Sequence, residues 1–252
     1  MKKVPDVIRN IIYGKTYDQD TLGESRSSVL LYDDIVLKVS PLNDECRREF
    51  HMLELLDGHP FVPKVITYVE SRKYGYLISE RIKGFPLLRL PVEQSVRLAC
   101  EGLLSLWNIQ VVDHHLCRKK DSLEYIRNNA YHHRECIIQN AAPDTFGASH
   151  FKDPIELYLW LEKHYPDDEA VVFSHGDYFL PNILTDGVSV TGIIDFGQAG
   201  LFPKERDIAT LIKSIHYNYI EKKDYRKMIE SQIPLPIKWD IVEYFDLYDE
   251  LV

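Results

Sequence analysis

At 252 residues, with 45% apolar and 27% charged side chains, the chain matches ordinary globular proteins and can bury the core of one or two domains. Its net charge of −9 disfavours nucleic acid or an anionic membrane as partner, since both need a basic surface, and no apolar run reaches the ~18–20 residues of a membrane span. The N-terminus lacks the apolar core of a signal peptide, and the four cysteines (Cys46, Cys100, Cys117, Cys136) form no CxxC pair, so a cytoplasmic protein with free thiols is expected.

Val29–Tyr32 and Ile35–Val39 read as two strands around the turn Asp33-Asp34. Residues 43–57 read as a helix ending near Gly58. On that helix Cys46, Met52, Leu53 and Leu56 share a face; Glu49 falls within it and Glu54 points away. A lysine inside an apolar strand (Lys38) and a carboxylate inside an apolar stripe (Glu49) each need a partner, and pairing them satisfies both. Val65–Val69 and Tyr74–Ser79 form a second strand pair. After Gly84 the periodicity turns helical, at about 92–109, 120–138, 154–165, 204–220 and 238–252. A strand-rich first third and a helix-rich remainder imply two lobes joined near Glu80–Gly84.

The segment Ser174–Gly197 carries the strongest chemical signal. Asp177, Asn182 and Asp195 stand five and then thirteen positions apart. Ile183–Thr185 and Val188–Val190 read as a hairpin about the turn Asp186-Gly187. The return strand brings Asn182 and Asp195 side by side at the open end. An amide oxygen and a carboxylate suit Mg²⁺, a hard cation that completes its shell from phosphates. Asp177 precedes them on a loop, as a base or an orienting acceptor for a hydroxyl. Each residue alone reads as a turn or cap; the three together with an apolar strand read as a site. His175 reads as structural, holding its loop. The single glycine of Thr21–Val29 could lay backbone N–H groups over a phosphate. Gly14-Lys-Thr16 lacks the earlier glycine of a P-loop, and His114, His115 and Cys117 are badly spaced for zinc.

These residues resemble the protein-kinase-like fold and, within it, the aminoglycoside phosphotransferase family, most closely its 3′-phosphotransferases. The resemblance spans roughly Gly23 to Val252 and is most specific in His175-Gly-Asp-Tyr-Phe-Leu-Pro-Asn182 and Ile194-Asp-Phe-Gly197. It implies an α+β bilobal fold: a small antiparallel-sheet N-lobe over 1–79, and a larger, mainly helical C-lobe over 80–252 that carries catalytic and acceptor groups. It implies that Asp177 orients the acceptor hydroxyl, that Asn182 and Asp195 hold Mg²⁺, and that Lys38 and Glu49 form the lysine–glutamate pair that positions ATP or GTP. Ser79-Glu-Arg81, with Ile78 before it, matches the adenine-contacting linker, while Gly23 and Ser25 fall in the phosphate-covering loop. The acceptor would be a cationic aminoglycoside held by Glu250 and the Val252 carboxylate, with Asp144 as a further contact. The protein would act as a monomer or weak dimer.

Val252 stands where the family's terminal residue is usually aromatic, though its carboxylate remains, and two further departures bear on the acceptor: Gln198 where an arginine is usual, and Tyr217 where a glutamate meets drug amines. They leave open a kinase for another hydroxyl-bearing metabolite, such as choline, homoserine or a macrolide, and a non-catalytic nucleotide-binding module is the further alternative. A protein kinase fits poorly. Asp195 and Asp207 are only twelve positions apart, too few for a peptide-seating segment, and Asp207 is expected to brace the catalytic loop from the first turn of a helix.

Overall fold

The computed structural model describes residues 4–20, 27–111, 116, 119–147, 150–167, 169–219 and 224–252, with backbone alone for 119–121. Gly23 and Ser25 therefore lie outside the described residues, as do His114, His115 and Cys117. The chain divides into two compact units, Met1–Gly102 with Leu180–Ala199, and Leu103–Phe179 with Gly200–Val252.

In chain order the elements begin with α1 (Asp6–Ile12), β1 (Asp18–Gln19), β2 (Ser28–Leu31), β3 (Ile35–Pro41), α2 (Asp44–Leu55), β4 (Val65–Glu70), β5 (Tyr74–Glu80), β6 (Phe85–Pro86) and α3 (Val92–Trp107). Then come α4 (Lys119–His132), α5 (Arg134–Asn140), α6 (Pro154–Lys163) and β7 (Val171–Ser174). The chain continues through β8 (Ile183–Thr185), β9 (Val190–Ile193), β10 (Gly200–Pro203), α7 (Glu205–Asn218), α8 (Arg226–Gln232) and α9 (Trp239–Asp249).

The first unit is built on an antiparallel sheet of order β1-β2-β3-β5-β4. Strand alternation sorts β3 into two faces. Ile35 and Leu37 point into a core with Tyr32, Tyr76, Ile78 and the fully buried Ile8 of α1, and Val39 packs against it. Lys38 must then face the other side, where Leu77 stands opposite it in register and α2 brings Glu49. Burial of Met52, Leu53 and Leu56 fixes which face of α2 turns inward, and each such side chain contributes roughly 1.5–3 kcal/mol. Asn43 caps α2 by accepting from Cys46 N–H at 2.8 Å. A smaller sheet of order β6-β8-β9 completes this unit. Gly84, at φ 144°, leads into it, and a Cβ there would meet Thr191 Oγ1 at 2.6 Å and Thr185 O at 2.8 Å, so glycine is required.

The second unit is mainly helical. Ile208, Leu211 and Ile215 of α7 and Ile241, Tyr244, Phe245 and Tyr248 of α9 are buried, with Leu157 and Leu161 of α6. Tyr244 donates its hydroxyl to Leu161 O at 2.9 Å, so its polar tip is satisfied inside the core. The short strands β7 and β10 pair antiparallel, Ser174 opposite Gly200 and Val171 opposite Pro203.

Two sequence expectations change in detail. The hairpin connection is longer than two residues, because Thr185 pairs with Val190 and Val188-Ser189 belong to the turn. The Asp186 carboxylate accepts from Val188 N–H and Ser189 N–H, replacing ladder bonds with a local Asx turn. The helix expected over 120–138 is interrupted at His133 (φ −121°, ψ 23°) and resumes as α5.

Candidate active site

In the first unit, Lys38 Nζ lies 2.9 Å from Glu49 Oε1 and 2.9 Å from Asp195 Oδ1. Three elements converge here: β3 supplies the lysine, α2 the glutamate, and the turn after β9 the aspartate. Lys38 and Glu49 are largely withdrawn from solvent, at 15% and 9% side-chain exposure, whereas Asp195 keeps 35%. The two carboxylates hold Lys38 as an ammonium, raising its pKa against the opposing effect of burial. Burial raises the Glu49 carboxyl, and the negative charge of Asp195 adds to that. A lysine so fixed presents its charge at one point, and of the two carboxylates Asp195 is the more exposed.

Asn182 joins this group through the backbone. Ile183 stands opposite Ile193 in the ladder, and the bond from Ile194 N–H to Asn182 O, 2.9 Å, extends the pairing by a step. Asp195 therefore follows directly on Asn182's neighbour across the hairpin, as its spacing implied. The backbone of Asp195 is left-handed (φ 68°, ψ 61°), the one non-glycine at positive φ among the described residues. Such a conformation costs on the order of 1–2 kcal/mol and persists because its surroundings enforce it. Phe196 is fully buried, Gly197 packs against the side chain of Glu45, and Ile193 N–H donates to Phe61 O at 2.7 Å. Gln198 Nε2 stands 3.5 Å from Glu45 Oε1, so the residue that departs from the family pattern faces the first turn of α2. The donor chemistry of Asn182 and Asp195, one amide and one carboxylate beside a fixed ammonium, fits Mg²⁺ carried by a polyphosphate. Among the described residues no cluster of three His, Cys, Asp or Glu forms an all-protein metal cage.

Ile78 and Ser79 are buried near the end of β5. Arg81 donates N–H to Asp34 O, and its Nη1 reaches Tyr32 O at 2.7 Å, so its side chain fastens the linker to the β2–β3 turn.

In the second unit Asp177 sits on the loop after β7, between two anchored amides. Gly176 N–H donates to Asp207 Oδ1 at 3.0 Å, and Tyr178 N–H to Thr210 Oγ1 at 3.2 Å, both acceptors lying on α7. The fully buried Asp207 also accepts from Ser174 Oγ and Trp107 Nε1, each at 2.8 Å. Burial raises its pKa while these donors oppose the rise. Asp207 thus braces the loop from the first turn of α7. The part played by Trp107 leaves no local signal, because its partner is one hundred positions away. His175 is fully buried with its ring against Tyr178.

The C-terminal residues are tied down within the same unit. Glu250 Oε2 accepts from Ala142 N–H at 3.0 Å and Leu251 O from Asn129 Nδ2 at 2.9 Å. Lys213 Nζ approaches Asp249 Oδ2 at 2.7 Å and Glu250 Oε1 at 3.0 Å. Val252 is 45% exposed, and Asp144 lies exposed on the loop that begins with Ala142.

Within the first unit, a carboxylate-clamped lysine on an antiparallel sheet and a hairpin presenting Asn182 and Asp195 are the parts that phosphoryl transfer of the kinase-like class uses. Residues 18–224 match the phosphotransferase enzyme family. An aminoglycoside 3′-phosphotransferase of Enterococcus faecalis is 30% identical over 243 residues, covering 91% of this chain and 87% of that protein. Another, of Niallia circulans, is 29% identical over 210 residues, covering 81% and 78%. Among solved structures, aminoglycoside phosphotransferase APH(3'')-Id of Streptomyces rimosus in complex with ADP and streptomycin superposes with a TM-score of 0.73 over 97% of this chain and 95% of that one, at 16% identity. The chain belongs to the phosphotransferase enzyme family.

Proposed function

We propose that this protein is an aminoglycoside 3′-phosphotransferase. It moves the γ-phosphoryl group of ATP or GTP to the 3′-hydroxyl of a cationic amino-sugar antibiotic and so confers resistance. The observation that carries this reading is Lys38 held between Glu49 and Asp195, with Asn182 beside Asp195 on the hairpin; named relatives that act as aminoglycoside 3′-phosphotransferases support the acceptor class.

Lys38 would meet the α- and β-phosphates, its position fixed by Glu49. Asn182 and Asp195 would hold Mg²⁺, which when bound supplies positive charge against the phosphates. Ile78, Ser79 and Arg81 would line the adenine side, with Gly23 and Ser25 over the phosphates. Asp177 would accept the hydrogen bond of the acceptor hydroxyl. The hydroxyl oxygen forms the new bond to phosphorus, the bond from phosphorus to the β–γ bridging oxygen breaks, and the nucleoside diphosphate departs. The hydroxyl proton passes to the Asp177 carboxylate. Catalysis of this kind is mostly placement and electrostatics, which suits a loop pinned on both sides of its aspartate. Glu250, Val252 and Asp144 would contact the acceptor's amines.

No helix among the described residues is long and apolar enough to cross a membrane. We place the enzyme in the cytoplasm, as a monomer or weak dimer, consistent with free Cys46, Cys100 and Cys136.

The test is nucleotide consumption with ATP and with GTP across aminoglycosides, choline, homoserine and a macrolide. Turnover confined to aminoglycosides is the expected result. Turnover on a metabolite alone would move the protein to another kinase of the same family, a result that the exposed Tyr217 would then explain. Nucleotide binding without turnover on any acceptor would identify a binding module.

A further inference from the structure

The acidic C-terminus already has a cation. Asp246, Asp249 and Glu250 lie at helical spacing on one side of the last turns of α9, and that helix has no basic residue in its last turn. Carboxylates at a helix C-terminus add to the negative end of the dipole, so an outside cation is strongly favoured there. Lys213 of α7 fills this role. Its ammonium contacts Asp249 at 2.7 Å and Glu250 at 3.0 Å and keeps 32% side-chain exposure. The two carboxylates raise its pKa against the effect of burial, so it is charged at every physiological pH. The other oxygen of Glu250 is occupied by Ala142 N–H. Asp246 is exposed on the same turn.

We propose that Lys213 is a specificity-determining residue that acts as an internal competitor for the acceptor's amines. The inference rests on the cationic-acceptor reading above. An incoming ammonium can use Asp249 or Glu250 only by loosening Lys213, so those carboxylates reward an acceptor less than free ones would. An acceptor that has lost an amine calls on these carboxylates less, so it feels the competition with Lys213 less. Lys213 thus tunes acceptor affinity without taking part in the chemistry.

The experiment compares wild type with Lys213→Gln and Lys213→Arg, measuring KM for kanamycin, for singly N-acetylated kanamycin and for ATP. Glutamine retains hydrogen-bond donors but no charge. Its KM for kanamycin is expected to fall about three- to fivefold, the effect of a partly exposed charge pair, with a smaller fall for the acetylated compound and no change for ATP. Arginine forks onto both carboxylates and holds them more tightly than an ammonium does, so its KM for kanamycin should rise about threefold. A Lys213→Gln protein with near-native melting temperature and an unchanged or raised KM would overturn the proposal. Should that variant not fold, an unchanged or lowered KM in Lys213→Arg does so instead. Wild type inactive on every aminoglycoside would remove the functional reading itself, whereas an active wild type with the wrong KM order removes only this inference.

Discussion

Lys38 shows how much one side chain can depend on strand alternation. Its neighbours Leu37 and Val39 face the α1 core, which leaves Lys38 no direction but toward α2 and Asp195. Replacing it with methionine would remove the cation that both carboxylates share. Lys38→Met is therefore expected to lower kcat by about 10²–10³, and stability by about 3 kcal/mol; steady-state kinetics and denaturant titration check the two effects. The Lys38–Glu49 pair was legible in the sequence because two local anomalies, a charge in an apolar strand and a charge in an apolar stripe, cancel each other. The Asp195 contact was less so, since the hairpin spacing placed Asp195 beside Asn182 and gave no hint that it also meets Lys38. The Trp107–Asp207 bond and the Lys213 bridge escaped entirely, because each joins residues whose patterns are unremarkable alone.

Helix α2 positions Glu49, and its start depends on Asn43, whose side chain satisfies an N–H that the helix cannot. Asn43→Ala is expected to cost ~1 kcal/mol, read as a lowered denaturation midpoint with little loss of turnover. Helix α9 is held to α7 by Lys213, and that contact has a definite pH window. Because the pKa of Lys213 is raised above 10.5, its contribution to folding is fully present below the ordinary lysine value and is lost as pH rises through the folded one. The difference in melting temperature between wild type and Lys213→Gln should stay constant from neutrality to roughly pH 10 and shrink above it; a difference that shrinks on going from neutral to mildly acidic pH instead would mean that the carboxylates set the linkage. Helix positions were readable from apolar period and ends from caps. Pairing of β7 with β10 was not, because both strands are short and their partners lie 26 to 32 positions apart. The interruption at His133 likewise breaks a pattern whose periodicity runs on through it.

Across the molecule, the cysteines report on burial in both units. Cys46 and Cys100 are buried, and burial pushes the Cys100 thiol up to about 12 and Cys46 also upward, whereas Cys136 is exposed. Brief alkylation of the native protein near neutral pH should label Cys136 and spare Cys46 and Cys100, as peptide mass mapping would show; early labelling of Cys100 would contradict the packing of α3. The class of fold was legible because one long motif and the change from strand to helix periodicity agree. The grouping of Leu180–Ala199 with the first hundred residues was not, since it depends on where a short hairpin packs rather than on its own sequence. The chemistry assigned to the molecule turns on one carboxylate. With saturating kanamycin and nucleotide, Asp177→Asn is expected to lower kcat by about 10²–10⁴ while the nucleotide dissociation constant stays within about twofold of wild type. A variant that turns over at the wild-type rate would contradict the account.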